Sequence, residues 1–382
     1  MGSDVLPINT GDLTLDKIEK RIKKIRKTFD KNQIDGILIF IEENRFYLSG
    51  FQGEDSQFDE TAGILAIGKE KLVLATDSRF TTEAEANSPL YEIFCYKKGL
   101  SKEIVEILEA AQIKKAGFES ARVSVDWFDK MNASIKKSKK DLSLKPVSGI
   151  VEKLRQVKDE DEIKTIKTAL EIAEKGLLEI KKDLKPGITE YEAAWLLEKT
   201  LREKGANGLS FSTITASGKN SAKPHAIPSN NTFKTKEPVL FDWGVIIDRY
   251  CSDITRSFYI EETDSKFEEI FKIVRKAQIA GTNAIKAGVK AKDVDFAARK
   301  IIEDAGYGKF FGHGLGHGVG MAVHEAPRLS PLTDEILKEG MVVTVEPGIY
   351  LPDWGGIRLE NMVVVRKDGA ETLNTTTPED FL

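Results

Sequence analysis

Two stretches of this chain, 101 residues apart, match without a gap, and that repeat limits the possible folds more than any other feature. Gly187 answers to Gly288, Ala193 to Val294, Trp195 to Phe296, Leu201 to Ile302 and Gly205 to Gly306. Each copy reads as a helix with one apolar face and a glycine at either end. The first opens on Thr189-Glu190-Tyr191-Glu192, the form of a capping box, in which threonine accepts a first-turn N–H and glutamate reaches back. Another helical stretch precedes each copy, Glu162 to Lys181 and Lys266 to Lys286, and strand-like sequence follows each. A duplicated unit of this kind implies two similar halves facing each other across a central cleft.

The repeat fills only the later part of the chain. At 382 residues the chain is too long for one hydrophobic core, so two domains are expected. Pro146-Val147-Ser148-Gly149, followed by the charged run Lys158 to Glu162, marks the boundary. The division expected is a disordered leader at 1–12, an N-terminal domain at 13–150 and a catalytic domain at 151–382. Leu15 to Asn32 predicts a helix, with Ile18, Ile22, Ile25 and Phe29 on one face. Asp35 to Ile41 predicts a buried strand, Ala62 to Ile67 with Lys71 to Ala75 a strand pair, and Ile104 to Ala111 a helix, which together make an α/β domain.

Charge and composition exclude several functions. Lys+Arg 57 against Asp+Glu 61 leaves a net charge of -4, with no basic excess to grip nucleic acid or anionic lipid. No apolar run approaches the roughly 20 residues of a membrane span, and Met1-Gly2-Ser3 does not open a signal peptide. Cys95 and Cys251 fall in different domains, which is not a disulfide framework. The expectation is a cytoplasmic protein with no nucleic-acid and no membrane partner.

Three of the four histidines, His313, His317 and His324, lie within Phe311 to Glu325, interleaved with Gly312, Gly314, Gly316, Gly318 and Gly320. Each interior glycine costs a helix about 1 kcal/mol, so this stretch is extended or looped, and the missing side chains let another object come close to its backbone.

The acids stand on strands. Val239 to Ile247 and Tyr250 to Phe258 read as a hairpin, and a turn centred on Asp248 and Arg249 sets Asp242 opposite Thr255. Asp253 is then a diagonal neighbour of Asp242 on the same face, about 7–8 Å away at the backbone. Two carboxylates pointing together require something positive between them. Met341 to Val345 is a strand stopped by Pro347 with Glu346 at its end, and Gly356 to Val363 reads as one strand carrying Arg358 and Glu360 on one face. His313-Gly314-Leu315-Gly316-His317 lacks the glutamate and the helix of a zinc-protease motif, and neither a phosphate loop nor a serine-nucleophile elbow is present.

These segments resemble the pita-bread metallopeptidases, the family of aminopeptidase P, prolidase and methionine aminopeptidase. The resemblance rests on KPHA at 223–226, FDWG at 241–244, YCSDITRSF at 250–258, GHGLGHGVG at 312–320, VHEAPR at 323–328, VEPGIY at 345–350 and GIRLEN at 356–361. The earlier part, with Asn44 to Phe51 and Asp77 to Phe80, is similar to the creatinase-type N-terminal domain of the proline-specific members. The fold implied is an α/β N-terminal domain followed by an α+β pita-bread (creatinase/aminopeptidase) catalytic domain with internal pseudo-twofold duplication. One departure is Asp248-Arg249-Tyr250, where relatives often have glycine; arginine disfavours positive φ, so a looser turn is expected.

By the same resemblance, Asp242, Asp253, His317, Glu346 and Glu360 bind two divalent metal ions per chain, Mn, Co, Fe or Zn. Glu346, His225 and His324 are the catalytic residues, and His313, Arg328 and Arg358 line the substrate site or hold the neighbouring carboxylates. The implied reaction is hydrolysis of the bond before proline in a proline-containing peptide, by an Xaa-Pro aminopeptidase or an Xaa-Pro dipeptidase (prolidase), through a hydroxide bridging the metals. A homodimer is implied too. The alternatives on this fold are a creatinase-like hydrolase or lyase and a catalytically silent peptide-binding protein; the intact ligand positions argue against both.

Overall fold

The computed structural model describes residues 13–55, 57 and 60–382. The leader expected at 1–12 lies outside the described residues. The chain divides into two compact units between Leu154 and Arg155.

The first unit is built on a six-stranded mixed sheet. Its centre is Gly36–Ile39, buried throughout, antiparallel to Gly63–Gly68 on one side and parallel to Lys115–Glu119 on the other. Leu72–Thr76 pairs antiparallel with Gly63–Gly68, as the apolar runs on either side of Gly68 imply. Glu92–Cys95 and Ser143–Val147 form the edges. The N-terminal helix is capped by Thr14, which accepts from Lys17 N, and it buries Ile18, Ile22 and Ile25. It ends at Arg26 rather than running on to Asn32; a separate turn, Phe29–Asn32, follows. Thr28 makes the break, bonding back to the Ile25 carbonyl through both its N–H and its hydroxyl.

The second unit carries the repeat as geometry. Helices Glu160–Ile180 and Glu190–Glu203 form one pair, Ser265–Ala284 and Ala291–Asp304 the other. The four framing glycines have left-handed φ values of 98° and 100° at Gly187 and Gly205, and 89° and 85° at Gly288 and Gly306. Glycine takes this conformation without strain, so it is the backbone that explains the matched register. Ala193, Val294, Leu201 and Ile302 are buried, while Trp195 and Phe296 are exposed in both copies. The Thr189 capping box forms, with both of its hydrogen bonds present.

Each helix pair is followed by antiparallel strands. In the first half, Ile214–Ser217, Pro238–Trp243 and Ile254–Tyr259 make a sheet in which Pro238–Trp243 is central. Trp243, fully buried, donates its indole N–H to the Ala173 carbonyl and ties this sheet to its helix. In the second half, Val342–Val345 lies between Gly316–Gly318 and Asn361–Val365 in a five-stranded sheet. Burial of Val274, Val294, Leu315, Val343 and Val363 in one cluster fastens that sheet to the second helix pair.

Candidate metal centre

In the first half the hairpin has the register the sequence implies: Thr255 pairs with Asp242 and Ile247 with Tyr250. The turn is nevertheless tight. Asp248 and Arg249 alone span it, with φ of 47° and 70°, which corrects the expectation of a looser turn. The arginine carries a left-handed cost of about 1–2 kcal/mol. The hairpin is held from outside, since Val245 and Ile246 pair with Leu209 and Gly208 and Asn207 accepts the Asp248 N–H at 2.9 Å. Asp253, two residues before Thr255, therefore shares a face with Asp242.

The second half supplies the other groups from three chain segments. His317 sits in Gly316–Gly318 and Glu346 directly after Val342–Val345. The single strand expected over 356–363 is instead two: Gly355–Arg358 pairs with Gly348–Leu351, and Asn361–Val365 with Val342–Val345. The opposing chain is interrupted at Pro347, which has no N–H to give a ladder, so both chains turn a corner together. Glu360 lies at that corner, its N–H bonded to the Thr255 carbonyl at 3.1 Å.

These elements bring five predicted residues together. His317 Nε2 lies 3.3 Å from Glu346 Oε1 and 3.6 Å from Asp253 Oδ2. Ligand atoms of Asp253, His317 and Glu360 all fall within 4.8 Å of one another. Arg358 Nη2 donates to Asp242 Oδ2 at 2.6 Å. Two buried oxygens, Asp242 Oδ1 and Glu360 Oε1, have no hydrogen-bond partner among the described residues.

The electrostatics describe a cluster short of positive charge. Burial pushes the Asp253 carboxyl well above the usual range, and Glu360 and Asp242 push it further. Glu360 is likewise raised by burial and by the charge of Glu346. Burial also acts on Glu346, but the hydrogen bond and charge of His317 overcome it and hold that acid at about 2. Orphaned carboxylate oxygens in a buried, over-negative cluster of four acids and one imidazole fit divalent cations bound through hard oxygen and nitrogen ligands.

The remaining predicted residues surround this cluster. His324 is exposed, with its ring centroid 4.5 Å from that of His317. Its pKa is lowered by burial of part of the ring and by His317, and to a smaller degree by Arg328 and His225, so all four lie within electrostatic reach. Arg328 is exposed and stands opposite His317 in the strand ladder. His313 Nδ1 meets the Gly314 carbonyl at 2.8 Å and its Nε2 meets Tyr350 Oη at 2.9 Å. Tyr350 Oη already accepts from Arg358 Nη1, so its own proton goes to His313 Nε2. Nδ1 donates to the carbonyl, so both His313 nitrogens are used within the protein, and the ring serves as a wall rather than a donor to substrate. Arg358 also donates to Thr255 Oγ1 and to the Pro224 carbonyl, beside His225.

What comes close to Gly314, Gly316 and Gly318 is the chain's own backbone rather than a substrate. A Cβ at Gly316 would collide with the Thr344 carbonyl, and one at Gly318 with that of Ala326. Only Gly312, among those in the histidine stretch, faces open space.

Several supporting residues escaped sequence reasoning. Glu190, fully buried, accepts from Ser217 N and Oγ, Asn220 Nδ2, and Ser229 N and Oγ, and so gathers the loop that carries His225. In the second half Asp295 accepts the Leu315 N–H and pairs with Arg299, which donates to the carbonyls of Phe311 and His313. Thr344 bonds both His317 and Glu346. Its position two residues before Glu346, on one strand face, was the available signal.

Residues 164–367 match the model of metallopeptidase family M24, and residues 21–157 that of the creatinase/prolidase N-terminal domain. The chain is 36% identical to an Xaa-Pro dipeptidase of Pyrococcus horikoshii, over 96% of this chain and 99% of that one. A solved Xaa-Pro dipeptidase from Bacillus anthracis superposes with a TM-score of 0.88 at 37% identity, covering 94% of this chain and 98% of that one. An X-Pro aminopeptidase structure from Thermotoga maritima gives 0.84 at 36% identity, with the same coverage.

Proposed function

The chain belongs to metallopeptidase family M24, with a creatinase/prolidase N-terminal domain ahead of a pita-bread catalytic domain, and from that premise we propose that it hydrolyses the bond before proline, as an Xaa-Pro dipeptidase or Xaa-Pro aminopeptidase. The observation that carries this reading is the convergence of Asp242, Asp253, His317, Glu346 and Glu360, with unpartnered oxygens on Asp242 and Glu360. These five residues would hold two divalent ions, drawn from Mn, Co, Fe and Zn. When bound, such ions supply Lewis acidity that acidifies a water and polarises the scissile carbonyl.

The chain's own groups do the rest. Glu346 is the base that takes a proton from the attacking water and returns it to the leaving nitrogen. Its Oε1 is fixed by the Thr344 hydroxyl at 3.0 Å, so the acid does not have to be oriented during the reaction. His324, whose lowered pKa keeps it neutral at pH 7, donates to the developing oxyanion, and His225 assists from the facing half. His313 walls the pocket, and Arg358 holds Asp242 in place.

The Arg328 side chain makes no hydrogen bond or ion pair among the described residues, and the residue stands opposite His317 in the ladder, a position suited to a substrate carboxylate. That favours the dipeptidase, whose substrate ends one residue after the scissile bond. A homodimer and a cytoplasmic location belong to the same reading; among the described residues no helix is long and apolar enough to cross a membrane.

The test is a substrate-length series with Mn- and Co-loaded protein. Cleavage of an Xaa-Pro dipeptide, with weaker cleavage of the Xaa-Pro tripeptide, is the expected result. Cleavage of Xaa-Ala with neither proline substrate touched would overturn the specificity, and protein without affinity for divalent ions would overturn the mechanism.

A further inference from the structure

Two buried threonines stand in the same relation to two of the proposed ligands. Thr255 and Thr344 are both fully buried. Thr255 Oγ1 accepts from Arg358 Nε at 3.0 Å and donates to Glu360 Oε2 at 2.8 Å. Thr344 Oγ1 accepts the backbone N–H of His317 at 3.0 Å and donates to Glu346 Oε1 at 3.0 Å. A hydroxyl has one proton to give. With an obligate donor behind each oxygen, guanidinium in one case and main-chain amide in the other, the hydroxyl cannot turn round. Its proton is committed to the carboxylate.

We infer that Thr255 and Thr344 are positioning residues of the metal centre, each holding one oxygen of Glu360 or Glu346 and so fixing the orientation of a ligand carboxylate. The inference rests on the metallopeptidase reading above. At Glu360, Oε2 is held by the hydroxyl and Oε1 is buried with no partner among the described residues. The two relays also link the site internally. Through Thr255 the arginine that grips Asp242 acts on Glu360, and through Thr344 the backbone of His317 acts on Glu346. A displaced strand therefore moves two ligands at once. Hydrogen-bonding partners behind a metal's ligands commonly carry 10–100-fold in affinity or activity.

The experiment is calorimetric titration of Mn²⁺ and Co²⁺ into the full chain, for the wild type and for Thr255→Val, Thr344→Val, Thr255→Ser and Thr344→Ser. Thr215→Val is the control, because Thr215 is as deeply buried, in the same sheet as Thr255, but its hydroxyl has no partner among the described residues. We expect each valine variant to bind about 10- to 100-fold more weakly, with the serine variants and Thr215→Val at wild-type affinity. Valine variants that bind as tightly as the wild type, or serine variants that lose as much as valine, overturn the inference and leave the metallopeptidase reading standing. A wild type that binds neither ion overturns both. Where a valine variant does not fold, the serine variant decides: retained affinity supports the role of the hydroxyl and weakened affinity overturns it.

Discussion

Arg358 and Asp242 meet through a 2.6 Å hydrogen bond between side chains only 3% and 14% exposed. The guanidinium spreads its other donors over Tyr350 Oη, Thr255 Oγ1 and the Pro224 carbonyl. One cation thus fixes one oxygen of Asp242, supports the Glu360 relay and braces the His225 loop.

Replacing Arg358 by methionine leaves a buried carboxylate without its counter-charge, an error that costs about 3–5 kcal/mol. Chemical denaturation of the metal-free protein should show a loss of that order. Arg358→Lys keeps the charge but cannot reproduce the fork. We expect it to fold and to lose most of its turnover, measured as kcat on an Xaa-Pro dipeptide.

Glu346→Gln removes the base and one ligand while preserving volume. Loss of a general base alone costs about 10²–10⁴-fold, so turnover should fall to background. The circular dichroism spectrum should be unchanged. Activity near wild type would remove Glu346 from the mechanism.

Metal should stabilise the fold it completes. At a hundredfold excess over Kd, a ligand that binds only the native state adds about 2.7 kcal/mol. Thermal denaturation should move upward with Mn²⁺ or Co²⁺ and return with a chelator. An unchanged midpoint across that range would contradict the assigned site.

The first unit carries its own pH dependence. Glu119 accepts from the N–H groups of Phe40 and Ile41 and from Asn44 Nδ2, yet burial raises it to about 7 from an ordinary 4.5. A raised carboxyl binds its proton more tightly in the folded state. Its contribution is therefore complete below pH 4.5 and is lost as pH rises through 7, a difference on the order of 3 kcal/mol. Glu119→Gln should flatten the decline in stability between pH 5 and 8, followed by urea denaturation at each pH.

Gly312→Ala and Gly316→Ala separate open space from close packing. The first adds a methyl group where nothing lies within 4 Å, and the second drives one into the Thr344 carbonyl. Overpacking of this kind costs about 1–3 kcal/mol. Gly316→Ala should lower the melting temperature and weaken metal binding, since Thr344 supports Glu346, whereas Gly312→Ala should leave both unchanged.

The contrast between these glycines shows where sequence reasoning reached and where it stopped. Matched glycines at 187/288 and 205/306 were readable because positive φ leaves a mark on residue type. The pairing of Asp242 with Thr255 was readable because a two-residue period permits few registers. The tight turn at Asp248-Arg249 was not, because local propensity pointed the other way and neighbouring strands overrode it. Nor was the corner at Leu359-Glu360, which depends on an interruption in the opposite chain at Pro347. Thr255 and Glu190 acquire their roles only through partners many residues away, and no spacing rule announces such a partner.

The matched framing glycines bear on ancestry as well as on architecture. Asp242 and Asp253 come from one copy, while His317, Glu346 and Glu360 come from the other. Two identical copies related by a twofold axis would present the same residues twice, so a centre of this composition requires the copies to differ. The backbone of the two copies is matched at its framing glycines while the chemistry is one-sided. Either half expressed alone would inherit the scaffold without the site.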